Sequence, residues 1–112
     1  MFKVDLSNHY SWPVKVEIPS DAGKHETATF DGHFKRVSQS KIEEIIKLAG
    51  EKEIGDVDLA RDVLIGWKGV EEGGVETPYS EMAKDKLLEI PGVAKAVVTS
   101  FFESLNGAKR KN

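Results

Sequence analysis

By residue type, the three histidines, His9, His25 and His33, are the side chains of this chain best suited to hold a metal or move a proton. Their spacing does not support either role. No two stand four apart on a helix, and no carboxylate motif frames them, so they are expected on strands or loops facing solvent. Carboxylates come in pairs: Glu43 with Glu44, Glu71 with Glu72, and Asp56 with Asp58. General acid–base work needs two acids in a shielded cleft with divergent proton affinities. These pairs fall instead on a polar helix face, in a glycine loop and at a helix start, where negative charge is welcome. Asp56 to Asp62 lacks the calcium-loop ligand pattern with its central glycine. Gly66-Trp67-Lys68-Gly69 and Gly73-Gly74 do not precede the Lys-Ser/Thr pair of a phosphate loop, and no serine lies in a nucleophile-elbow frame. The chain has no cysteine, which excludes disulfides and thiolate ligands. Neither a metal nor a cofactor is expected.

At 112 residues the chain has the length of one domain, with enough burial for a core that needs no covalent staples. Its formal net charge of −3 argues against a general nucleic-acid binder, whose phosphate contacts need a basic surface. No apolar run approaches the ~20 residues of a membrane span, and a signal peptide's apolar core is absent from the start. A soluble, intracellular protein is expected.

The elements that must position any site come in two blocks. Phe2, Val4 and Leu6 alternate with Lys3 and Asp5, and Val14, Val16 and Ile18 alternate with Lys15 and Glu17, the period of half-buried strands. Ser7 to Pro13 reads as a loop or a strand edge, and Pro19 to Lys24 as a turn. Asp31-Gly32 suits a hairpin turn, yet Ala28, Phe30, Gly32 and Phe34 keep one alternation, which favours a single long strand bent or bulged at Gly32.

Helical spacing follows. Ser40 and Glu43 have capping-box spacing ahead of Ile42, Ile45, Ile46 and Ala49, with Gly50 as the stop. Asp56 can cap a second helix with the stripe Ala60, Val63, Leu64 and Trp67. Residues 68–77 form a loop or a short hairpin, with 67–70 facing 75–79. Ser80 or Thr77 caps a third helix that uses Met82, Ala83, Leu87 and Ile90. Pro91 opens a fourth helix running to about Leu105, with Asn106-Gly107 as its terminator. The architecture expected is α+β: an N-terminal antiparallel sheet of about three strands followed by about four helices packed on it. Residues 1–107 form the domain, and the cationic residues 108–112 a flexible tail.

One feature invites a binding role. The fourth helix carries Ala94, Val97, Val98, Phe101, Phe102 and Leu105 on one arc. Packing on the sheet accounts for most of it. Adjacent side chains on a helix diverge by about 100°, so Phe101 and Phe102 do not both point at one neighbour, and one of them can meet a second surface. Val97, Val98, Phe101 and Phe102 are therefore the candidate partner-binding residues, with Trp67 as a rim contact.

The stretch Val63 to Leu105 resembles the small tail assembly chaperones of long-tailed phages and prophages. The resemblance lies in Leu64-Ile65-Gly66-Trp67-Lys68-Gly69-Val70, the acidic glycine loop, Pro78-Tyr79-Ser80-Glu81, Leu87 to Val93 and Phe101-Phe102-Glu103. Phe30 to Ile46, with Phe34-Lys35-Arg36-Val37 leading into a helix, is a second match, and Gly107 to Asn112 is similar to the end of such proteins. The resemblance implies a non-enzymatic protein of the bacterial host cytoplasm that binds the tape measure protein. It further implies recruitment of tail tube subunits, self-association, departure before the virion is complete, and a longer form made by frameshifting. It transfers no catalytic or ligand residues. Two other readings stay open: a structural minor component of the tail, and a small regulator touching nucleic acid through Lys109, Arg110 and Lys111.

Overall fold

The computed structural model describes residues 1–4 and 7–106. Strand β1 (His9–Pro19) and strand β2 (His25–Lys35) form an antiparallel pair in register along their whole length, from His9 opposite Lys35 to Pro19 opposite His25. A 3-10 turn (Asp21–Gly23) joins them. Helices α1 (Gln39–Gly50) and α2 (Asp56–Val63) follow, then a short strand β3 (Leu64–Lys68) antiparallel to β2. A hairpin of β4 (Glu71–Glu72) and β5 (Val75–Glu76) leads to helices α3 (Glu81–Leu88) and α4 (Val93–Leu105). The three-stranded sheet has the order β1-β2-β3, and the class is α+β.

Alternation fixes the faces. Val14 and Val16 from β1 and Phe30 and Phe34 from β2 are buried under the helices, while Lys15, Glu17, Thr29 and Asp31 stay on the solvated side. Gly32 keeps β2 a single strand, with the bulge at His33/Phe34 in its pairing with β3. A Cβ at Gly32 would lie 2.9 Å from Val14 Cγ2 and 3.3 Å from Leu64 Cδ1, so the glycine leaves room for the side chains either side of it. Pro13 sits on the edge strand, where a missing donor costs no ladder bond.

Helix α4 lies across this face. Val97 and Phe101 are fully buried, Phe101 meeting the Phe34 ring at 5.7 Å. At its far end Tyr10 Oη and Ser104 Oγ are 2.7 Å apart, and Ser104 in turn donates to the Phe101 carbonyl. Each phenylalanine taken fully out of water contributes about 1.5–3 kcal/mol.

Several expectations are corrected. The alternation that begins at Phe2 is not one of the three strands: residues 1–4 pair with no strand among the described residues, and Phe2 and Val4 are 88% and 66% exposed. Alternation alone does not make a strand without a neighbour for its backbone groups. Leu6, part of that expectation, lies outside the described residues, as do Gly107 and the tail 108–112. Leu64 and Trp67 belong to β3, not to the stripe of α2, whose chain turns extended at Leu64 (φ −89°, ψ 114°). The cap of α1 is Ser38, accepting from the Lys41 N–H at 3.1 Å, two residues before the serine expected, and the left-handed residue after the helix is Lys52 rather than Gly50. Gly55 caps α2, leaving Asp56 in its first turn. Ser80 caps α3 as expected, accepting from Ala83 N–H at 3.0 Å. Its buried residues, however, are Lys84 and Leu88. Pro91 lies in the turn before α4, whose N-cap is Gly92 at φ 91°. The open choice at residues 68–77 resolves as a hairpin. Gly73 and Gly74 take its turn at φ 61° and 81°, and Thr77 N–H donates to the Val70 carbonyl at 2.7 Å.

Candidate partner-binding surface

The five candidate residues separate into core and margin. Val97 and Phe101 are closed off from solvent beneath α4, so neither presents a surface in the folded chain. Phe102 is half-buried, its ring edge-on to Phe101 at 5.5 Å, and Val98 is half-buried beside it. Trp67 is buried too. Its indole donates to the Thr77 carbonyl at 2.8 Å and meets Tyr79 edge-on at 5.1 Å, which ties the hairpin to the start of α3. It is thus a structural pin rather than a rim contact.

A more open apolar surface lies next to that pin. Between the β4–β5 hairpin and α3 runs a groove of about 450 Å³. Trp67 and Val70 line it from the β3–β4 side and Ala83, Leu87, Met82 and Ile90 from α3 and the turn after it, with Glu71, Glu72 and Lys86 as polar lining. Met82 is 76% exposed and Ile90 46%. The helical spacing of Met82, Ala83, Leu87 and Ile90 predicts an inward face for these two, and the structure differs. The helix is phased differently because Lys84 and Leu88, four apart, take the buried face.

Lys84 explains that phase. The residue is only 3% exposed, and its amine donates to the carbonyls of Arg61 at 2.7 Å and Leu64 at 2.9 Å. Arg61 stands in the last turn of α2 and Leu64 opens β3 directly after it, so neither oxygen has an onward helical partner. The amine is also 3.5 Å from the Glu81 carboxylate and 5.7 Å from the Tyr79 ring centre. Sequence reasoning missed Lys84. The only hint was its place four residues before Leu88. Nearby, Arg61 joins α2 to α3 through Asp85 at 2.9 Å, and that hydrogen bond holds its guanidinium above its ordinary proton affinity. Burial raises the Tyr79 phenol, and its 2.7 Å hydrogen bond to Glu81 adds to the rise. The same hydrogen bond, with the charge of Lys84, lowers Glu81.

The residues first weighed for chemistry do not converge. Among the described residues no group of three or more His, Cys, Asp or Glu could hold a metal ion. His9 and His33 come within 5.9 Å of each other, while His25 lies at the far end of β2. Glu71 and Glu72 are exposed on the hairpin, and Asp58 pairs with Arg61 on α2. No helix among the described residues is long and apolar enough to cross a membrane. The chain matches no family model, no curated protein and no solved structure. What the described residues offer is an apolar groove between the hairpin and α3.

Proposed function

We propose that this chain is a non-enzymatic phage tail assembly chaperone that acts in the bacterial host cytoplasm and binds the tape measure protein. The observation that carries the reading is the groove between α3 and the β4–β5 hairpin, because it lies within the stretch Val63 to Leu105 on which the resemblance to such chaperones rests. Tape measure proteins of such phages are long, helical and prone to aggregate, and an amphipathic helix can lay apolar anchors into a groove of this kind. Met82, Leu87 and Ile90 supply the greasy wall, and Glu71 and Glu72 favour lysine or arginine flanking those anchors. The exposed part of the surface is small, which suits a partner that must be released when tail tube subunits take its place.

Co-expression with the tape measure protein of the same gene cluster tests this. The partner is expected to become soluble and to co-purify, and Met82→Asp with Ile90→Asp is expected to abolish both effects while the chain stays folded. A partner that stays insoluble and unbound, with this chain recovered from washed tails by mass spectrometry, would instead make it a structural tail component.

A further inference from the structure

β1 is an edge strand, and its outer side pairs with no strand among the described residues. Pro13 has no N–H, so its pair with Asp31 is one whose backbone groups point away from β2. By alternation, Lys15 and Glu17 also turn their N–H and C=O groups outward. The Glu17 carbonyl lies 3.7 Å from where a Cβ on Gly92 would stand, at the start of α4. Alongside this edge runs a groove of about 480 Å³, with Lys15 and Glu17 on one side and the Lys95, Ala96, Thr99, Ser100 and Glu103 flank of α4 on the other. An edge strand beside a helix, with free backbone groups between them, accepts an extended segment as an added strand.

The chain contains a segment with that pattern and no place for it. Phe2, Lys3 and Val4 begin a strand-like alternation, yet residues 1–4 pair with no strand among the described residues, and Phe2 and Val4 are exposed. Their own β1 does not suit them. A tight turn at Ser7-Asn8 would set Val4 opposite Ser11 and Phe2 opposite Pro13, turning both apolar side chains onto the solvated face. The register one face over sets Phe2 opposite Ile18, Lys3 opposite Glu17 and Val4 opposite Val16. It matches apolar with apolar and cation with anion. Within one chain this would need residues 7–13 as a loop, but His9 to Pro13 are already paired to β2.

We infer that the N-terminal segment of one copy of this chain adds as an antiparallel strand to the outer edge of β1 in a second copy, between that strand and α4. The added strand covers Ile18, which is 40% exposed, and seats Val4 against the small Ala96 and Thr99 flank of α4. The inference does not depend on the groove at α3 or on the identity of any other partner.

Analytical ultracentrifugation of the full chain tests it, with Val4→Asp as the variant. Val4 contributes nothing to the single-chain core, so the variant is expected to keep its circular dichroism spectrum and sediment as a monomer, whereas the native chain self-associates with rising concentration. Register is tested by mixing a Lys3→Cys chain with a Glu17→Cys chain, in a protein that has no cysteine of its own. A mixed disulfide between them is expected, and none when Glu76→Cys on the hairpin replaces Glu17→Cys. A native chain that is monomeric at every concentration, a Val4→Asp chain that associates as the native one does, or equal crosslinking to Glu76→Cys would each overturn the inference.

Discussion

The two ends of the helical layer are built on different principles. Beneath α4 the sheet and helix meet mainly through apolar side chains, with Phe34, Val97 and Phe101 fully enclosed and the Tyr10–Ser104 hydroxyl contact at the helix's far end. At α3 the packing depends on polar pins: Lys84 on the end of α2, Trp67 on Thr77 and Ser80 on its own helix start. Of the apolar side chains of that corner, Leu88 and Trp67 are buried while Met82 and Ile90 are left exposed. Hydrophobicity in the sequence therefore does not say which apolar side chains stay exposed. The greasiest helix is spent mostly on the core, while Met82 and Ile90 are exposed beside the polar contacts of α3.

The largest expected effect breaks the apolar side. Phe101→Ala should cost about 3–5 kcal/mol, the range for an aromatic lost from a closed core. Phe102→Ala should cost clearly less, because that ring already meets solvent along one face. Urea denaturation of the two variants checks this, and equal losses would erase the distinction between inward and outward phenylalanine.

Next is the polar side. Lys84→Met keeps most of the side-chain volume but leaves the Arg61 and Leu64 carbonyls without their donor. A loss of about 2–3 kcal/mol is expected, since buried acceptors are then left unpaired. If Lys84→Met were as stable as the native chain, the corner would be held by apolar packing after all. Gly32→Ala comes close behind at about 1–3 kcal/mol, because the added methyl would lie 2.9 Å from Val14 Cγ2. It overpacks the sheet under α4 and should not weaken capture of a partner at α3. Thermal melts and the co-expression assay together separate those two outcomes.

The sequence revealed these regions unequally. β2 and the second half of β1 are legible because their alternation admits one period only, whereas His9 to Pro13, which read as a loop or a strand edge, belong to β1. β3 is not legible, since Leu64-Ile65-Gly66-Trp67 is a short apolar run that continues the helical spacing of α2 and also fits a strand. The phase of α3 was hidden by the Leu87-Leu88 doublet, which supports either face. A lysine is also seldom counted as an inward residue. Both errors touched the candidate site. They placed Trp67 on a helix and turned Met82 and Ile90 inward, so the groove between hairpin and α3 could not be seen before the chain was folded. Phe101 and Phe102 were correctly seen to diverge, but a helical wheel does not say which one the sheet takes.

The smallest effect sharpens the comparison through protons. Glu81 is held below its ordinary value by the hydrogen bond from Tyr79 and then by the charge of Lys84. A carboxylate lowered on folding adds stability above its ordinary pKa, and that contribution is lost as pH falls through the lowered value. Tyr79 is raised, by burial first and by the bond to Glu81 second. Its contribution is present below the usual phenol value of about 10 and is lost as pH rises beyond it. The α3 corner should therefore loosen at both extremes, while the side chains of Phe34, Val97 and Phe101 beneath α4 carry no titrating group. Tyr79→Phe removes the donor, so the Glu81 carboxyl should titrate at higher pH than in the native chain when followed by carbon-detected NMR. An unchanged Glu81 titration would mean that Lys84 alone sets its charge, and that the phenol contributes only its ring to Trp67.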